Sequence, residues 1–174
     1  MHPRIAELMA YIDAELENLR TAYEAVPVER RGVRPSPDRW SPAENVHHLA
    51  MVERRLCQRL STLIEEARAL PPETETSPVG SVSKASRALD RTNRFKTSEA
   101  SEPRDTDPAR VWDDLLAARA QLKAVVVSGD GLALGAVTAP HPALGAFSGY
   151  DWIVFVGSHA ARHADQIREM NLAG

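Results

Sequence analysis

Two histidines set one helical turn apart are the residues of this chain with the most chemistry to offer. His159 and His163 bound the pentapeptide His159-Ala160-Ala161-Arg162-His163. At about 100° per residue both rings fall on the stripe shared by Trp152, Phe155, Val156, Gln166 and Met170. Imidazoles on an apolar stripe point into a core, where their ring nitrogens need partners. The same i, i+4 spacing lets two rings hold one metal ion, and a pair of hydrogen-bonded core histidines is the competing reading. Ala160 stands where a zinc protease carries its glutamate base in His-Glu-x-x-His, so that chemistry is disfavoured. A third imidazole favours the metal. His48 lies about 100° from the centre of the apolar stripe of an earlier helix and can turn inward, whereas His47 falls on the opposite side and is expected to face water. If the two helices pack side by side, His48, His159 and His163 supply three nitrogen ligands and leave coordination positions open to water or substrate.

Other residues near these rings have a structural and a functional reading. Glu44, one turn before His48, is a candidate acceptor that steadies the ring, though its place in a helix cap already accounts for it. Gln166 can hydrogen-bond a ligand or lie at the polar edge of its helix, and Arg162 can meet an anionic substrate or form a surface ion pair. His141 belongs to the loop before the last helix and reads as structural there. Trp40 reads as a staple that fastens the start of the second helix to the core, and Cys57 as a small buried hydrophobe.

Four helical stretches must position these groups. Ile5, Leu8, Met9, Ile12, Leu16, Leu19, Tyr23 and Val26 recur at helical steps in the first. The second opens at Ser41-Pro42-Ala43-Glu44, with Ser at the N-cap, Pro at N1 and Glu at N3, and ends before Pro71-Pro72. The third is expected from Asp107-Pro108, and the fourth from near Ser148, with Asp151 at capping-box spacing, to about Asn171. Residues 71–106 are rich in Ser, Thr, Pro and charge, which predicts an exposed, loosely ordered crossover long enough to let the second and third helices lie parallel. Residues 128–148 hold several Gly and Pro and no helical period, which predicts a structured loop or lid. The fold class is therefore all-α, a four-helix bundle with a long crossover between helices 2 and 3, read as a single domain over 1–174.

Composition removes other classes. With 21 Lys plus Arg against 24 Asp plus Glu, the formal charge is -3, which offers no basic excess to hold nucleic acid. The longest apolar run, Trp152 to Val156, is far below the roughly 20 residues that cross a bilayer. The start of the chain has no signal-peptide pattern and the single Cys57 makes no internal disulfide, so a cytoplasmic protein is expected. Gly129-Asp130-Gly131-Leu132-Ala133-Leu134-Gly135 imitates a dinucleotide loop, but its third glycine comes one place late and no βαβ context surrounds it. Neither a Walker loop nor a Gly-x-Ser-x-Gly elbow occurs.

Three segments together carry a family likeness. Trp40-Ser41-Pro42-Ala43-Glu44-Asn45-Val46-His47-His48-Leu49, then His141-Pro142-Ala143-Leu144-Gly145, then Trp152 through His159-Ala160-Ala161-Arg162-His163-Ala164-Asp165-Gln166-Ile167 resemble the DinB-like (YfiT-like) metalloprotein superfamily, from about residue 5 to 170. The resemblance implies a bundle with parallel second and third helices, usually paired as a homodimer. It implies one divalent metal, zinc or nickel foremost and iron or manganese in some members, on residues matching His48, His159 and His163. Some thiol-dependent relatives have Glu at the position of His159, so this chain is similar to the three-histidine branch. Activities in the superfamily include S-transferases that use a low-molecular-weight thiol as co-substrate, a thiol-dependent isomerase and a hydrolase.

The resemblance and the histidine pattern lead to the same expectation. An open position on a divalent cation lowers the pKa of a bound water or thiol, so a nucleophile forms near neutral pH without a dedicated base. A metal-dependent thiol S-transferase or hydrolase acting on a small molecule is expected. The alternative is a non-catalytic metal-binding or stress-related bundle. Because imidazole binds metal only when neutral, occupancy is expected to fall below about pH 6.5.

Overall fold

The computed structural model describes residues 1–83, 101–142 and 144–172. Helix α1 (Pro3–Glu24) starts on a proline, whose missing N–H has no role in a first turn, and buries Ile5, Leu8, Ile12 and Leu19. Helix α2 (Pro42–Ala67) begins with a complete capping box: the Glu44 amide donates to Ser41 Oγ at 3.2 Å, and the Ser41 amide to Glu44 Oε2 at 2.7 Å. A single turn, α3 (Gly80–Ser83), interrupts the crossover. Helix α4 covers Val111–Ser128, strands β1 (Thr138–His141) and β2 (Gly145–Ser148) pair antiparallel, and α5 (Gly149–Leu172) completes the order.

Core pairing fixes the helix directions. In one cluster Ile5, Leu8 and Ile12 meet Leu56, Leu60 and Leu63, Leu122 and Val126, and Trp152 and Val156. In the other, Leu19 and Tyr23 meet Val46 and Leu49, Val111 and Leu115, and Ala164 and Ile167. Early α1 thus packs on early α5 and late α1 on late α5, so those two run the same way. Helices α2 and α4 run parallel to each other and opposite to α1, as a long crossover between them allows. Each fully buried Leu or Ile contributes about 1.5–3 kcal/mol to that core. Between the clusters lies a buried ion pair. Arg119 on α4 donates through Nη2 and Nε to Glu53 on α2 at 2.6 and 2.9 Å, and through Nη1 to the Ile12 carbonyl at 2.5 Å.

Three expectations about elements need correction. The third helix begins at Val111 rather than at Asp107-Pro108. Asp107 does cap, its Oδ1 accepting from the Ala109 amide at 3.0 Å, but the turn it caps is only a lead-in to the helix. The region 128–148 is more than a loop, because it carries the β1–β2 hairpin with Thr138 opposite Ser148 and His141 opposite Gly145. The bundle also has the extra turn α3, tied to the start of α5 by a short hydrogen bond from Ser81 Oγ to Asp151 Oδ1. Asp151 also accepts from the Ser148 amide at 2.9 Å and so closes the cap anticipated at the last helix. The middle of the crossover, residues 84–100, lies outside the described residues. No described helix is long and apolar enough to cross a membrane.

Candidate metal centre

Antiparallel packing of α2 against α5 brings the three predicted rings to one place. One ring nitrogen from each of His48, His159 and His163 lies within 4.8 Å of the others, a grouping that can hold a metal ion. Ring centroids are 4.6 Å apart for His159–His163 and 5.2 Å for each of the other two pairs. His48 and His163 are buried, and His159 is half-buried.

Hydrogen bonds set which nitrogen of each buried ring carries a lone pair. Asn45, one turn before His48 on α2, donates through Nδ2 to the Ser41 carbonyl at 2.8 Å. Its Oδ1 therefore faces His163, and accepts from Nδ1 at 2.7 Å. His163 Nδ1 thus bears the proton and Nε2 the lone pair. His48 is fixed the same way: its Nδ1 is 2.7 Å from the Ser101 carbonyl, which only accepts, so its Nε2 is left as the donor atom. His159 Nε2 lies 3.0 Å from His163 Nε2. One proton between those two nitrogens makes a hydrogen bond, and a cation shared by them replaces it. A buried cluster of three imidazoles, two of them oriented by oxygen acceptors on their far sides, fits a divalent metal.

The electrostatics keep the rings neutral. Burial pushes all three imidazoles below their ordinary pKa, most strongly His159 and His163, and the neighbouring rings and Arg162 add to the effect there. At His48 the Ser101 carbonyl works the other way, favouring charge, while Arg55 opposes it. Neutral imidazole is the form that ligates.

The remaining candidates are placed as follows. Glu44 does not turn toward His48. Arg34 grips its carboxylate at 2.5–3.0 Å while the cap uses it as well. Burial works against the Glu44 charge, but the bonds from Arg34 and Ser41 outweigh it and lower the pKa. Gln166 reaches His163, and its hydrogen bond favours the charged ring against burial. Arg162 is half-buried and close enough to depress both α5 histidines. Trp40 packs on the site rather than on the core, its ring 4.8 Å from His48 and stacked 6.4 Å from His163. His47 does not face water. It is half-buried with Nδ1 2.9 Å from Thr106 Oγ1, because the end of the crossover returns across that side of α2. Cys57 is buried, and burial together with Glu53 raises its thiol pKa.

His159 also opens onto a cleft of about 760 Å³ between α2, α5 and the β1 end of the hairpin. His141 belongs to that cleft, stacked on Phe147 at 4.9 Å and beside Trp152 and Phe155. Sequence reasoning missed Asn45, Ser101 and the cleft arginines Arg55 and Arg59. Asn45 stands three residues before His48, a helical spacing from which it was detectable.

A mainly helical bundle with a tri-histidine cluster at the inner end of a surface cleft is the class that fold and site define. Residues 11–167 match the model of the DinB superfamily, and the chain belongs to that family. It is similar to a Bacillus subtilis (strain 168) protein described as "Uncharacterized protein YuaE", at 27% identity over 144 residues, which cover 82% of this chain and 83% of that one. No solved structure matches the chain significantly.

Proposed function

We propose that the chain is a metal-dependent enzyme acting on a small molecule, a thiol S-transferase or hydrolase, with His48, His159 and His163 holding one divalent cation. Zinc or nickel suits three imidazoles best, with iron or manganese as further candidates. The observation that carries this reading is the asymmetry of the cluster. Two rings are buried and oriented by Asn45 and Ser101, while the third, His159, opens onto the cleft. A structural metal is closed off by a fourth protein ligand, and an open face on the substrate side supports catalysis instead. A cation held there supplies Lewis acidity and lowers the pKa of a water or thiol that coordinates it.

The chain's own residues do the rest. Asn45 and the Ser101 carbonyl hold protons on the outer nitrogens of His163 and His48, which keeps the inner lone pairs aimed at the shared point. Trp40 covers two of the rings and excludes water from that side. Phe155, stacked 4.9 Å from His159, fixes the ring that faces the cleft. The experiment is turnover of a panel of electrophiles, with and without low-molecular-weight thiols, by metal-loaded and chelated protein. Turnover requiring metal and thiol supports the transferase, and turnover requiring metal and water alone supports the hydrolase. Turnover unchanged by chelation, or absent throughout, contradicts the proposal.

A further inference from the structure

The end of the crossover meets two consecutive histidines of α2. The Ser101 carbonyl faces His48 Nδ1 at 2.7 Å, and five residues further on Thr106 Oγ1 lies 2.9 Å from His47 Nδ1. Neighbouring side chains on a helix diverge by about 100°, so residues 101–106 cross the width of α2 from one ring to the other. One of these rings belongs to the metal centre and the other does not.

This strap is held along its length. Arg55 Nη1 donates to Ser101 Oγ at 2.6 Å, and Pro103 is buried between two exposed residues, Glu102 and Arg104. Asp105 has a φ of 51°, in the left-handed region that a non-glycine residue seldom occupies, and such a conformation persists where its surroundings impose it. Past Thr106 the chain enters the turn that Asp107 caps, and there the Tyr23 hydroxyl of α1 donates to the Pro108 carbonyl at 3.3 Å. Thr106 thus stands between a bend and a pinned end, and its bond to His47 ties the bend to α2. The acceptor that sets His48 is a backbone atom, so its position depends on where the strap lies. A hydrogen bond weakens steeply with distance and misalignment. With the carbonyl displaced, both nitrogens of His48 compete for the proton, and the ring is no longer committed to presenting its Nε2 lone pair to the shared point.

We propose that His47 and Thr106 are positioning residues of the metal centre: their hydrogen bond fixes the strap 101–106 against α2, and through the Ser101 carbonyl it holds the His48 proton on Nδ1. This rests on the reading of the three histidines as a metal site, but the tautomer of His48 is a property of the metal-free chain and is measured without the ion.

Two readouts on the full chain test this. Nitrogen-15 NMR of the chelator-treated protein at neutral pH gives the tautomer of His48, whose ring signals are assigned by their loss in His48→Gln, and a competition titration gives the zinc affinity. In the parent the His48 proton is expected on Nδ1 alone. Thr106→Val, which keeps the shape and removes the hydroxyl, is expected to give a mixture of tautomers and to weaken zinc about fivefold to tenfold with unchanged circular dichroism. Thr106→Ser is expected to restore both readouts, and His47→Phe to reproduce Thr106→Val, with the double variant no worse than either single one. A parent-like tautomer in Thr106→Val and His47→Phe overturns the proposal, whether or not the variants are less stable or bind zinc less tightly, because the effect then does not run through His48. If zinc also binds those variants as it binds the parent, the metal centre stands while the positioning role fails. A tautomer that shifts with Thr106→Val in a chain that takes up no zinc leaves the positioning role intact and removes the metal centre.

Discussion

Among the buried polar groups of helix α2 are His48 and Glu53, five residues apart, and their surroundings are opposite in kind. Glu53 is matched. Arg119 presents a forked guanidinium to both carboxylate oxygens and spends its remaining reach on the Ile12 carbonyl, so charge and hydrogen bonds close within the protein. Burial raises the Glu53 pKa while Arg119 holds it back. His48 sits among its own kind. His159 and His163 bring further lone pairs and no acid, and the acceptors provided, Asn45 Oδ1 and the Ser101 carbonyl, lie on the far sides of the rings. A cluster that satisfies itself serves the fold. One whose outer atoms are satisfied and whose inner atoms converge on a point is built for something added.

The comparison breaks most visibly at the ion pair. Arg119→Met leaves the Glu53 carboxylate buried and alone, and is expected to cost about 3–5 kcal/mol in denaturant unfolding. The double variant Glu53→Leu/Arg119→Met is expected to recover most of that loss, and in both proteins the folded fraction should bind zinc as the parent does. Asn45→Ala has the reverse profile. Without the acceptor that orients His163, zinc affinity is expected to fall about 10–100-fold in a competition titration. Equal affinity in that variant would remove Asn45 from the site.

A smaller effect is read in pH. All three native imidazoles titrate below the ordinary value of 6.5, whereas the unfolded chain titrates near it. The unfolded state therefore binds more protons as pH falls past that value, so the stability contributed by neutral burial is complete above about pH 6.5 and is lost on acidification toward the native pKa values. Metal-free protein melted between pH 7.5 and 5 should lose stability over that window, and His48→Gln should flatten part of the loss. Zinc occupancy should likewise persist somewhat below pH 6.5, since native rings stay neutral there. The smallest effect belongs to Glu44→Ala, expected to cost about 1 kcal/mol through the lost cap and to leave zinc affinity unchanged. A fall in affinity would return Glu44 to the histidine site.

How much of this was legible in the sequence follows from which contacts are periodic. His159 and His163 declare themselves through a one-turn spacing on an apolar stripe, and His48 through its angle to another stripe. Asn45 was within reach of the same reasoning, but its position beside the cap hid its second bond. Ser101 was not within reach, because it meets His48 across 53 residues from a segment with no period. His47 was misjudged for the same reason, since a helical wheel sees one helix and not the crossover lying against it. The hairpin escaped because Thr138–His141 and Gly145–Ser148 are four residues each, poor in β-branched side chains and carrying Pro140, so no alternation had room to develop.

Elemental analysis of the full chain, purified without a metal-affinity tag, beside His163→Ala tests the central claim most directly. The parent is expected to carry close to one divalent ion per chain, and the variant to keep its helical circular dichroism while losing most of that ion. Equal metal in the two proteins, or no divalent metal in the parent even after incubation with zinc or nickel, would contradict the assignment of His48, His159 and His163 as a metal centre.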